Sequence, residues 1–150
     1  MDSLLIIGYG NTLRSDDGVG YRIAEQVAAW HLPGVRSLPL HQLTPELAAE
    51  FAQAQIVIFV DAQQPDANPI PPEIRPLQTD ILLQINTHTT DPRSLLSLTQ
   101  ALYNTTPVAY QLLIPTSDFS VGETLSPQAE VGMERAIALL RDFISIHLKT

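Results

Sequence analysis

Two hydrophobic periodicities alternate along the chain. Short β-prone runs, typical of strands, occupy residues 3–8, 35–40, 55–61 and 108–114. Amphipathic patterns, typical of helices, occupy residues 18–30, 44–54, 91–103 and 126–147. A proline-rich stretch at 63–76 leaves room for a short edge strand near 73–77. This order predicts a single α/β domain over residues 1–150. We expect a three-layer α/β/α arrangement, in which a mostly parallel sheet of about five strands carries helices on both faces.

Three of the four predicted helices begin at a recognisable capping sequence. Asp91-Pro92 and Ser126-Pro127 each combine a polar N-cap with proline at the first helical position. Thr44-Pro45-Glu46 has the same form, with an acidic residue in the first turn. We therefore expect helices to start at these three points.

Charge and cysteine content exclude several classes of function. Sixteen acidic residues against eight basic ones give a net charge of −8, and Lys149 is the single lysine. We expect no nucleic-acid or membrane partner, because few cations are present to neutralise phosphates. The absence of cysteine excludes disulfides, thiolate metal ligands and a Cys nucleophile. The first residues lack the features of a secretory signal, so we expect a cytoplasmic protein, and we expect it to be a monomer.

The segment GYGNTLRSDDGVG, residues 8–20, follows the first strand and resembles the start of a nucleotide-binding loop. However, Leu13 stands where a dinucleotide fingerprint requires its third glycine, and no Gly-Lys-Ser/Thr sequence occurs. Asp16 and Asp17 would also repel a phosphate at the helix N-terminus, so no nucleotide is expected. Either acid could instead cap the helix, leaving the other to act, while Asn11 fixes the turn through its side chain.

A third carboxylate, Asp61, ends the most β-prone run of the chain. If strands one and three are neighbours, as in the common 2-1-3 order, Asp61 and Asp17 meet at the carboxyl edge of the sheet. Asp61 could serve there only as a turn acceptor, but converging carboxylates favour a divalent cation. A borderline cation would also use an imidazole. His88, in a loop before the third helix, completes such a set, and His41 could reach the same edge.

With these residues in place, the sequence resembles the maturation proteases of nickel-iron hydrogenases over essentially its whole length. The opening pattern of that family, G-x-G-N-x-L-x-x-D-[DE]-x-x-G, is met at every specified position between Gly8 and Gly20. Asp61-Ala62 matches the strand that ends in Asp-Ala, and His88 matches the later histidine loop. Residues 41–48, HQLTPELA, look most like members that serve bidirectional, NAD-linked hydrogenases. The second acid, often Glu in the family, is Asp17 here.

The resemblance implies a twisted, mainly parallel sheet and an endopeptidase that removes the C-terminal extension of the hydrogenase large subunit precursor after nickel insertion. It also implies that Asp17, Asp61 and His88 contact the nickel, which the substrate supplies. The cation could polarise the scissile carbonyl or a water molecule. Alternatively, the metal is only a recognition tag, and Asp16 or Asp17 acts as the general base.

Two rival functions stay open at this stage. A nickel-binding maturation chaperone without proteolytic activity would use the same three ligands, and a small nucleotide-binding module would use Gly8 and Gly10. For the protease, we expect the irregular segments 63–76 and 115–125 to recognise a folded partner. Phe119 and Val121 have no periodic role in the second segment, so we expect at least one of them to line a partner-binding cleft beside His88.

Overall fold

The structure, a computed structural model, describes residues 3–65, 68–78 and 91–148. Its strands are β1 (Leu4–Tyr9), β2 (Val35–Leu40), β3 (Ile56–Ala62), β4 (Ile74–Pro76) and β5 (Val108–Ile114). Its helices are α1 (Val19–Ala28), α2 (Leu47–Phe51), α3 (Pro92–Tyr103) and α4 (Pro127–His147), and a 3-10 turn, Ser15–Gly18, precedes α1.

The five strands form one sheet in the order β2-β1-β3-β5-β4. β1 pairs in parallel with β2 and β3, and β3 pairs in parallel with β5, whereas the short edge strand β4 runs antiparallel to β5. The predicted α/β class and the 2-1-3 neighbourhood are therefore confirmed. This order places the carboxyl ends of β1 and β3 side by side, where ligand sites form in parallel sheets.

Alternating residues of the central strands supply two apolar cores. Leu4 and Ile6 of β1 face α1 and α4, whereas Leu5 and Ile7 face α2 and α3. Strand β3 divides in the same way, with Phe59 on the α2 and α3 side of the sheet. Both faces of the sheet are buried, which explains why these strands read as continuous apolar runs in the sequence.

Of the three helix starts predicted from capping sequences, two are confirmed and one is wrong. The side chain of Asp91 accepts a hydrogen bond from the Arg93 amide, and that of Ser126 accepts one from the Ala129 amide. Thr44 does not cap α2, which begins at Leu47. The Thr44 carbonyl instead accepts a bond from the Leu47 amide at 3.1 Å, so residues 44–46 form a turn that leads into the helix.

None of the helices within the described ranges has both the length and the apolar character that a membrane span requires.

Candidate active site

Close backbone approach explains the glycines of the turn after β1. Gly10 has a φ of +148°, and a side chain there would overlap the carbonyl oxygen of Asp17. A Cβ at Gly8 would overlap the carbonyl oxygen of Gly20, so β1 and the start of α1 are in backbone contact. The glycine spacing therefore allows the 3-10 turn to fold tightly over the end of β1.

Side-chain hydrogen bonds then fix the shape of this turn. Oδ1 of Asn11 accepts a bond from the Leu13 amide at 2.9 Å, which confirms the predicted role of this residue. Ser15 has a φ of +51°, a strained conformation for a residue with a side chain. Its hydroxyl donates to the Ser120 carbonyl at 2.8 Å, and its amide donates to the Gly122 carbonyl at 2.8 Å. The loop after β5 thus holds the turn in its strained form.

Asp16 is completely buried, with 0% of its surface exposed. Its carboxylate accepts four hydrogen bonds: from the Ser117 amide at 2.8 Å, the Asp118 amide at 3.1 Å, and the amide and hydroxyl of Ser126 at 2.7 and 2.6 Å. Ser126 is itself the N-cap of α4. Asp16 therefore ties the turn to the 117–126 loop and to the start of the last helix.

Asp17, the next residue, is only partly buried. One carboxylate oxygen, Oδ2, accepts a hydrogen bond from the Asn11 amide at 3.1 Å. The two neighbouring acids thus have different environments: Asp16 points into the protein, whereas Asp17 lies at the carboxyl edge of the sheet and is partly accessible.

Asp61 lies near the end of β3, close enough to Asp17 for the two carboxylates to interact. Burial, with a smaller contribution from the neighbouring Asp17, raises the pKa of Asp61 to about 7, although the Ala62 amide and the Tyr9 hydroxyl lower it. The Ala62 amide donates to Oδ1 at 2.8 Å. Asp61 is therefore a half-buried carboxylate whose charged form is poorly stabilised by the chain itself, a common property of functional groups.

Tyr9 is a further member of this cluster and is not among the site residues predicted from the sequence. It ends β1, and its ring packs against the apolar core beneath α2 and α3. Burial raises the pKa of its hydroxyl well above 10, and Asp61 and Asp91 contribute to the same effect. A tyrosine at the end of a buried strand, on the same face as Asp61, was the sequence signal that could have identified it.

The histidine predictions have different outcomes. His88 lies outside the described residues, so its place in the site stays a prediction. Asp91, the N-cap of α3, is close enough to Tyr9 to affect its pKa. His41 follows β2, and its ring stacks on that of Tyr21 with the centroids 5.1 Å apart.

Within the ranges that the structure describes, no group of three or more His, Cys, Asp or Glu side chains could hold a metal ion. Asp17 and Asp61 alone provide two oxygen donors, which is an incomplete set for a transition metal. A cation would reach full coordination at this edge only with further ligands, from other residues or from a bound partner.

Phe119 and Val121 lie in the loop attached to Asp16 but have different environments. Phe119 packs against the core beneath α1 and α4, and the Arg14 guanidinium lies 5.8 Å from the centre of its ring. Val121 is 92% exposed. Phe119 therefore covers the end of the core, whereas Val121 is available for contact with a partner.

A scan of protein-family models matches none of them, and a search of curated proteins finds no significant relative. Several solved structures are similar over almost their full length. The hydrogenase maturating endopeptidase HybD from E. coli superposes with a TM-score of 0.76 at 20% identity, over 96% of this chain and 93% of that one. The chain has the fold of this endopeptidase.

Structures from archaea give the same result. The [NiFe] hydrogenase maturation protease HycI from Thermococcus kodakarensis KOD1 matches with a TM-score of 0.71 at 19% identity, over 95% of this chain and 92% of that one. The hydrogenase 2 maturation peptidase from Thaumarchaeota archaeon SCGC_AB-539-E09 matches with a TM-score of 0.72 at 21% identity, over 97% and 99%. Identities this low establish a shared fold, and the chemistry must be argued from the site.

Proposed function

We propose that this protein is an endopeptidase that removes the C-terminal extension of the nickel-iron hydrogenase large subunit precursor once nickel is in place. The observation that carries the proposal is the pairing of Asp17 and Asp61 at the carboxyl edge of the sheet. The fold is that of solved hydrogenase maturation endopeptidases, and the segment between Gly8 and Gly20 matches the opening pattern of the family that the sequence resembles.

The electrostatics of the pair support a cation brought by the substrate. Burial and the neighbouring Asp17 raise the pKa of Asp61 to about 7, so its charged form is poorly stabilised until a positive ion arrives. Two oxygen donors suit a borderline metal such as nickel only when softer or nitrogen ligands complete the coordination. A nickel ion already held by the substrate would bring such ligands with it.

His88 is our proposal for the third contact from this protein. Asp91, three residues further along the chain, lies near Tyr9, which in turn lies beside Asp61. Three residues of extended chain span about 10 Å, so an imidazole at position 88 has the reach to approach the pair. Asp17, Asp61 and His88 would then contact the nickel of the substrate.

Nickel held in this way would supply a Lewis acid beside the scissile peptide bond. Contact with a cation favours the ionised form of a carboxylate, so the metal-contacting acids are poor candidates for a general base. Asp16 is buried beneath four hydrogen bonds, and we assign it a role in holding the turn. The irregular segment 115–125, in which Val121 is exposed, and the proline-rich segment 63–76 would contact the folded precursor.

Residues 41–48 support a narrower proposal about the substrate. Their resemblance to members that serve bidirectional, NAD-linked hydrogenases suggests the large subunit of such an enzyme as the natural partner. We further propose that the protein acts as a monomer in the cytoplasm. Comparing cleavage of precursors from a bidirectional and an uptake-type hydrogenase would test the choice of substrate.

The decisive experiment compares nickel-loaded and nickel-free precursor, each incubated with the purified protein and followed by intact mass. We expect a loss of the C-terminal extension from the loaded form alone, and no loss when Asp17→Asn replaces the wild type. Binding without cleavage of either form would instead support a nickel-binding maturation chaperone. Cleavage of both forms at equal rates would refute recognition through nickel.

A further inference from the structure

Tyr9 combines an apolar ring with a hydroxyl that needs a polar partner. The ring packs with Leu38 and Leu40 against the core beneath α2 and α3, a place that phenylalanine would fill equally well. Removing a hydroxyl from water costs free energy unless it finds a hydrogen-bond partner. Packing therefore explains the ring, and the hydroxyl requires a separate explanation.

Strand register directs this hydroxyl towards Asp61. The parallel pairing of β1 and β3 matches Ile7 with Phe59 and Gly8 with Val60, so Tyr9 and Asp61 are next in line. Both follow the alternation that places Ile7 and Phe59 on the α2 and α3 side of the sheet. The two side chains lie close enough for Asp61 to raise the pKa of Tyr9 and for the Tyr9 hydroxyl to lower that of Asp61.

The Asp61 carboxylate has one oxygen already engaged from its own strand. The Ala62 amide donates to Oδ1 at 2.8 Å, which leaves rotation of the side chain only partly restricted. A second donor from the adjacent strand would fix the plane of the carboxylate. Each carboxylate oxygen has two lone-pair sites, so an oxygen that accepts from Tyr9 can still contact a cation.

We propose that Tyr9 is a positioning residue, whose hydroxyl donates to the Asp61 carboxylate and orients it towards the nickel of the bound precursor. This inference rests on the proposed function. Hydrogen-bond partners of metal-contacting groups commonly change metal affinity or activity by about 10- to 100-fold when they are removed. The Tyr9 hydroxyl should have an effect of that size although it touches neither the metal nor the scissile bond.

The test uses Tyr9→Phe, which removes the hydroxyl and keeps the ring. Tyr110→Phe is the matched control, because the Tyr110 ring also packs against a core, on the opposite face of the sheet, 5.0 Å from Phe143. For each protein we would measure kcat/KM for nickel-loaded precursor, the Kd for nickel-free precursor and the midpoint of urea unfolding. Tyr9→Leu serves as a second variant without the hydroxyl.

We expect Tyr9→Phe to lower kcat/KM for the loaded precursor by about tenfold or more, with its Kd for nickel-free precursor and its unfolding midpoint unchanged. Tyr110→Phe should match the wild type in all three measurements. The inference is overturned if Tyr9→Phe cleaves like the wild type, or if it weakens binding of the nickel-free precursor and stability to the same degree as cleavage. If the wild type itself fails to cleave loaded precursor, the proposed function fails, and this inference fails with it.

Discussion

Replacing Asp61 by asparagine should make the protein more stable at neutral and higher pH. In the folded chain, burial and Asp17 raise the pKa of Asp61 from 3.8 to about 7. The folded state therefore binds this proton more tightly than the unfolded state does. The stabilisation that the protonated Asp61 carboxyl contributes is fully present below pH 3.8. It declines as the pH rises towards 7 and is lost above that pH.

The environment of Asp61 sets the size of the stability gain expected for Asp61→Asn. At about 1.4 kcal/mol per pKa unit, the difference between 3.8 and about 7 corresponds to a penalty of about 4 kcal/mol for the ionised carboxylate. The side chain is partly exposed and solvent screens part of this penalty, so we expect about 2 kcal/mol. Asparagine keeps an oxygen that can accept from the Ala62 amide, so the substitution removes the charge while retaining that bond.

Urea unfolding of the wild type and of Asp61→Asn at pH 8 and at pH 4 would measure the difference. We expect the variant to gain about 2 kcal/mol at pH 8 and almost nothing at pH 4, with an unchanged m-value. Asp16→Asn is the contrasting variant. It should lose about 2 to 3 kcal/mol, because a neutral amide with one acceptor oxygen cannot satisfy four buried donors.

A loss of stability in Asp61→Asn at pH 8, or a gain of equal size at both pH values, would contradict an energetic penalty from the ionised Asp61 carboxylate. The first result would mean that Asp61 serves the fold as a turn acceptor, and the second that the gain does not come from removing a charge. The predicted gain is typical of a residue retained for function at some cost in stability.

Three further outcomes are expected. Asp17→Asn should unfold at the wild-type midpoint, because the Asp17 carboxylate is only partly buried and the substitution affects one hydrogen bond, from the Asn11 amide. The same variant should leave the precursor uncleaved, and an active variant would contradict this prediction. In thermal melts, Phe119→Ala should lose about 1 to 2 kcal/mol of unfolding free energy, since the Phe119 ring covers the core. Val121→Ala should melt like the wild type but bind precursor more weakly, because Val121 is exposed. Dialysis against a chelator should strip nickel from the isolated protein, as measured by elemental analysis, since two carboxylates and one imidazole form an incomplete site; stoichiometric metal after dialysis would contradict the proposal.

Most of the fold was predictable because its signals are local or depend on general rules of chain connection. Asp91-Pro92 and Ser126-Pro127 mark helix starts through bonds to amides two or three residues away, which a sequence displays directly. The 2-1-3 strand order, assumed in the sequence-based prediction because it is common in such folds, is the one observed. The predicted helix start at Thr44 is wrong because, although its hydroxyl has the right type and position for an N-cap, the turn at 44–46 is closed by backbone groups.

Given the common 2-1-3 order, the sequence also brought Asp17 and Asp61 to one edge of the sheet, since they follow or end two strands that are neighbours in that order. It could not show how the environments of Asp16 and Asp17 differ, because the three residues that donate the four hydrogen bonds to Asp16 lie more than 100 positions further along the chain. Tertiary packing alone decided which acid is buried and which faces the site. It likewise brought Tyr9 close to Asp61, because the two residues are neighbours only when β3 aligns beside β1.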